Sequence, residues 1–96
     1  MRVVLTPQAR AEYVEAVDWY ADQAPGLEKR FRAAFRTVRL RMVENPHQFS
    51  PAVVGTRRAL LRDFPYVVVF RVSGDVVEVI AFFHTSRDPR RWQERQ

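Results

Sequence analysis

The chain contains no cysteine. That absence excludes a disulfide scaffold, a zinc site built on thiolates and a cysteine nucleophile, and it fits a reducing, cytoplasmic setting. Glycine is scarce, with three residues, so no Gly-rich loop is present to cradle a phosphate. Histidine is scarcer still: His47 and His84 stand far apart with no carboxylate at ligand spacing, and neither a metal nor a cofactor is expected. No apolar run reaches the roughly 18 residues needed to cross a bilayer. The N-terminal stretch Val3-Val4-Leu5 is too short for a secretory signal, being closed by Gln8 and Arg10. Lysine is nearly missing as well. Of 16 basic residues only Lys29 is lysine, against 11 acids, and the net charge is +5. A GC-rich genome accounts for arginine over lysine but not for the charge. An arginine-rich surface points to a nucleic acid or an acidic protein partner.

What remains is a 96-residue chain, 47% hydrophobic, long enough for one domain over residues 1–96. A domain of this size buries only about 60–65% of its unfolded surface, so its stability is modest. Val3-Val4-Leu5 reads as a short strand. Thr6-Pro7 opens a helix, Thr6 as cap and Pro7 at the first helical position. Ala9, Tyr13, Val17, Tyr20 and Ala24 share one face of it, with Glu12, Glu15, Asp18 and Asp22 on the other. Pro25-Gly26 breaks the chain. A second helix aligns Leu27, Phe31, Ala34, Phe35, Val38 and Met42, and Asn45-Pro46 stops it. The two stripes predict an antiparallel helical hairpin.

Residues 47–58 read as a loop and Ala59-Leu60-Leu61 as a short strand. Tyr66 to Val72 and Val76 to His84 are strong strands joined by a Gly74-Asp75 turn of type II′. That turn pairs Ser73 with Val76 and Arg71 with Glu78. Carried to the end, the register places Tyr66, Val68, Phe70, Val72, Val77, Val79, Ala81 and Phe83 against the helices. Val67, Val69, Arg71, Glu78, Ile80, Phe82 and His84 then share the opposite face. Asp88-Pro89 starts a short terminal helix, and Trp92 is expected to fold back on the sheet. The predicted fold is α+β: β-α-α-β-β-β plus a C-terminal helix, with a helical layer on an antiparallel sheet.

Several stretches resemble the RelE/ParE family of bacterial toxins. They are Arg62-Asp63-Phe64-Pro65-Tyr66 running into Val67-Val68-Val69-Phe70, Val76 to His84, Arg87-Asp88-Pro89 with Trp92, and Trp19-Tyr20 on the first helix. The resemblance covers nearly the whole chain. It implies the fold just described and a growth-arresting toxin of a type II toxin–antitoxin pair, of the plasmid-stabilisation kind, silenced by a small antitoxin. One branch of the family cuts mRNA on the ribosome; the ParE-like branch inhibits DNA gyrase.

The residues weigh these branches. RNA cleavage requires a proton-transfer group and cations for the phosphorane. His84, with Arg62 and Arg87 expected beside it, is the candidate catalytic set. Arg71 lies opposite Glu78, roughly 20 Å from His84 at about 3.3 Å per residue, and reads as one half of a cross-strand ion pair. The family's nucleases carry an arginine where Val67 stands, and lysines near the second helix that are missing here. Arg57 and Arg58 replace their charge but cannot shuttle a proton. The chain therefore reads as nearer ParE, a gyrase binder rather than an enzyme, with the ribosome-dependent mRNA nuclease as alternative and a nontoxic nucleic-acid-binding module as second alternative. Arg87, Arg90, Arg91, Trp92 and Arg95 form the expected target-facing tail. Lys29, Arg32, Arg36 and Arg39, on one face of the second helix, form the expected dock for an acidic antitoxin. That antitoxin adds a strand to a sheet edge or lies across the helices.

Overall fold

Thr6 sets the first helix. Its hydroxyl accepts a hydrogen bond from the Ala9 N–H at 3.1 Å, and Pro7 occupies the first turn, where no N–H is needed. In the computed structural model, which describes residues 1–86, α1 runs Pro7–Gln23 and α2 Leu27–Glu44. Gly26 between them has φ +83°, a conformation that costs glycine little, and it lets the chain reverse directly into α2. The predicted stripes are the ones buried. Ala9, Val17 and Tyr20 of α1 meet Phe31, Phe35, Val38 and Met42 of α2. Rings carry much of this seam: Tyr20 lies 5.1 Å and Tyr13 5.9 Å from Phe31, centroid to centroid.

The strands are β1 (Arg2–Leu5), β2 (Ser50–Pro51), β3 (Arg57–Leu60), β4 (Tyr66–Ser73) and β5 (Val76–His84), in the spatial order β1-β5-β4-β3-β2. The expected loop thus holds a two-residue strand, preceded by a single 3-10 turn at Pro46–Gln48, and β3 begins two residues earlier than the sequence indicated. The sheet is antiparallel apart from its first strand. β1 lies parallel to β5, because a helical hairpin separates it from the rest of the sheet and carries the chain back across. The terminal helix expected at Asp88-Pro89, and Trp92 with it, lie outside the described residues.

The β4–β5 hairpin corrects the sequence reading. Ser73–Val76 and Arg71–Glu78 pair as expected, and the register then shifts between Val69 and Phe70. Phe70 pairs with Val79, but Val69 pairs with Ala81 and Tyr66 with His84. Ile80 is the extra residue of a β-bulge, and beyond it every side chain of β5 changes face. Phe82, expected outside, is fully buried against Phe35 at 4.8 Å and Tyr13 at 5.2 Å. Ala81 and Phe83, expected inside, pack with Val67, Val69 and Ile80 on the sheet's other face. The physical reason is that the slip occupies only the far half of the hairpin. Glu78 keeps its partner Arg71, so no charge is buried, while the larger ring reaches the helices.

The bulge lies where β1 ends, and α1 completes it. β1 pairs with β5 only as far as Leu5–Val79, so no strand borders β5 beyond that point on this side. There the Phe82 N–H donates to the Glu12 carboxylate at 3.1 Å. A buried amide left without an acceptor costs about 1–3 kcal/mol. Glu12→Ala is expected to lower unfolding free energy by that amount, read from the urea midpoint. Glu12→Gln, which keeps an acceptor, loses less.

Candidate functional site

Among the clefts formed by the described residues beside the helical layer, three differ in charge. The first runs beside β1, an edge strand. Its Arg2 N–H donates to Asp75 O at 3.1 Å, and the Thr6 N–H donates to Val79 O at 3.0 Å. Even-numbered residues therefore direct their backbone toward β5, and Val3 and Leu5 direct theirs away from the sheet. Arg32, Arg36 and Arg39 recur at one side of α2 by helical spacing, and Arg10 reaches the same cleft from α1. The four guanidinium groups surround Tyr13 in a space of about 410 Å³. Burial pushes the Tyr13 phenol above its ordinary value, against the opposing pull of Arg32, Arg36 and Arg39. Among the described residues no acid lines this cleft. Of the predicted antitoxin-facing residues, Arg32, Arg36 and Arg39 meet here. Lys29 lies on the same stripe one turn earlier and is exposed, outside the lining. Arg10 was missed because the first helix reads as acidic. Its position three residues before Tyr13 was the one available signal, and only the hairpin packing gives that spacing a direction.

The second cleft, about 480 Å³, holds His84. The ring stands edge-on to Tyr66 with centroids 5.4 Å apart, a contact that exists because the bulge turns His84 to the helical face. Its Nδ1 accepts the Ser86 N–H at 3.2 Å and lies 2.7 Å from the Ser86 hydroxyl. A backbone N–H can only donate, so the neutral ring is the Nε2–H tautomer. Across the cleft stand Glu15, Asp18 and Asp22, with Trp19, 55% exposed, edge-on to Tyr20 at 5.0 Å. Burial and neighbouring Tyr66 both push the Tyr20 phenol up. Among the described residues the charged groups facing the imidazole are carboxylates, and none is a cation.

Arg62 does not join His84. It lines the third cleft, between α2 and β3, with Arg30, Arg41 and Phe64. The catalytic grouping expected from sequence is thus divided between two clefts as far as its described members go. Arg87 lies outside the described residues, as do Arg90, Arg91, Trp92 and Arg95. Arg71 is where the hairpin register predicted, its Nε 2.7 Å from Glu78 Oε1. Among the described residues no group of three or more His, Cys, Asp or Glu side chains could hold a metal ion, and no helix is long and apolar enough to cross a membrane.

Comparison with known proteins agrees with this architecture. Residues 3–89 match the family model of the ParE toxin of the type II toxin–antitoxin system parDE. Toxin ParE2 of Mycobacterium tuberculosis is 29% identical over 76 residues, spanning 78% of this chain and 72% of that one, and is found alike in strains CDC 1551 and H37Rv. A chain from the chromosomal ParDE toxin–antitoxin system of P. aeruginosa has the same fold, with a TM-score of 0.71 over 90% of this chain and 97% of its own length, at 22% identity. With a family match across nearly its full length, the chain belongs to the ParE toxin family of type II toxin–antitoxin systems.

Proposed function

We propose that this ParE-family chain arrests bacterial growth in the cytoplasm by binding DNA gyrase, and that its cognate antitoxin silences it by laying an acidic segment along Arg32, Arg36 and Arg39, with Lys29 at the end of the same stripe. The observation that carries the gyrase reading over mRNA cleavage is the setting of His84. Among the described residues its cleft is lined by carboxylates and by no cation, where a nuclease needs cations, and Arg62 faces another cleft. The toxin therefore works as a binder, with Arg87, Arg90, Arg91, Trp92 and Arg95 as its target-facing residues. The antitoxin side of the reading rests on the first cleft. An all-cationic wall beside a strand edge accepts an acidic chain in two ways, through arginine–carboxylate pairs and through the outward backbone of Val3 and Leu5.

Expression without the antitoxin tests the target. DNA synthesis and supercoiling are expected to fall within minutes while radiolabelled amino acids continue to enter protein. Translation stopping first, with cut mRNAs, would overturn the reading. A His84→Ala variant is expected to remain fully growth-arresting. A chain ending at Asp88 is expected to lose growth arrest while keeping antitoxin binding.

A further inference from the structure

We propose that the cleft floored by the rings of Trp19, Tyr20, Tyr66 and His84 is a docking site for an arginine-bearing segment of the toxin's protein target. This inference rests on the gyrase reading above and adds a second contact to the tail assigned there. The rings form one continuous row. Trp19 stands edge-on to Tyr20 at 5.0 Å, Tyr20 lies 6.1 Å from Tyr66, and Tyr66 meets His84 at 5.4 Å. Tyr20 and Tyr66 are buried and anchor the row in the core, whereas Trp19 at its outer end leaves more than half of its surface open. A tryptophan held in place by a neighbouring ring yet open to solvent is the residue type that most often dominates a protein–protein contact.

Charge selects the occupant. Asp18 and Asp22 flank Trp19 on one side of α1, and Glu15 stands one turn earlier. Among the described residues neither Asp18 nor Asp22 forms an ion pair. Both lie toward the C-terminal end of α1, whose last turn carries no basic residue. Carboxylates are disfavoured there, because the helix dipole already concentrates negative charge at that end. A cation set over the rings is drawn by their faces and by this field together. Guanidinium suits the site better than ammonium, since its flat fork stacks on an indole while donating to a carboxylate. Glu15 to Asp22 covers about 10 Å at ~1.5 Å per residue, the reach of a short segment rather than of one side chain. Position points to the target rather than the antitoxin. Ser86 lines this cleft, so the target-facing tail starts in sequence at its rim. The cleft shares no lining residue with the arginine cleft beside β1, and an acidic antitoxin is steered to that one.

The test pairs the full chain with purified DNA gyrase, in a supercoiling assay and by surface plasmon resonance. Trp19→Ala is expected to weaken gyrase binding about 30-fold, the scale of an interface hot spot, and Trp19→Phe, which keeps a ring, to lose less. Asp18→Lys combined with Asp22→Lys is expected to weaken it about 100-fold, since it sets like charges against the arriving segment. All three side chains are exposed, so the free toxin is expected to unfold no earlier than the wild type, and antitoxin affinity is expected to be unchanged. Wild-type inhibition of gyrase by every variant would overturn the docking site. Loss of amide exchange protection at residues 87–96 in the free charge-reversed toxin, with gyrase affinity unchanged, would give the cleft to the chain's own C-terminal segment and overturn the proposal as well. Failure of the wild-type chain to inhibit gyrase would instead overturn the reading on which the inference rests.

Discussion

Phe82→Ala is expected to lower unfolding free energy by about 3–5 kcal/mol, the ordinary cost of emptying a buried aromatic site. Phe82 has no exposed surface and packs on Tyr13 and Phe35, so truncation removes ring contacts with both helices at once. Small domains have a total stability of about 5–15 kcal/mol, so this one substitution takes a large share. Phe83→Ala, one residue along, is expected to cost about 1 kcal/mol, because that ring is half-buried on the thinner face of the sheet. The pair tests the bulge directly. In a regular hairpin their order reverses, with Phe83 in the core and Phe82 outside. Urea unfolding followed by tryptophan fluorescence gives both midpoints. A larger loss from Phe83→Ala than from Phe82→Ala would overturn the register.

The second large effect concerns recognition. Replacing Arg32, Arg36 and Arg39 together by glutamate is expected to weaken antitoxin binding by at least about 100-fold at low salt, since like charges placed across an interface cost several kcal/mol and each 1.4 kcal/mol is tenfold. All three residues are exposed, so the free toxin is expected to unfold at its usual temperature. Salt supplies the internal control. The gap between variant and wild type is expected to narrow from 0.1 M to 1 M, as the screening length shrinks from about 10 Å to about 3 Å. The association rate is expected to fall more than the dissociation rate rises, as follows when a charged patch steers encounter. Unchanged affinity at 0.1 M would remove the first cleft from the interface.

Both helices were legible because each carried its own punctuation: Thr6-Pro7 at one start, Pro25-Gly26 between them, Asn45-Pro46 at the end. Their buried faces followed from 3.6-residue spacing. The near half of the hairpin was legible as well, because Gly74-Asp75 fixed the turn and Glu78 could not be buried. The far half was not. From Val79 to Phe83 every residue is apolar, so alternation cannot say which face is inside, and a bulge there leaves no mark in the residue pattern. That single slip also hid the surroundings of His84. Nothing in the residue pattern marks Glu15, Asp18 and Asp22, on the other face of the first helix, as standing across a cleft from the imidazole. The arginines of α2 were found by spacing, whereas their companion Arg10 depends on how two helices and an edge strand meet.

The parallel pairing of β1 with β5 has a consequence for the order of events during synthesis. Arg2–Leu5 leave the ribosome first, and their partners Val76–Val79 emerge only after both helices and three other strands. The edge that closes the first cleft thus cannot form on a nascent chain until Val79 is clear of the exit tunnel, and closing so long a loop is slow. The basic cleft beside β1 is therefore among the last surfaces of the chain to be completed.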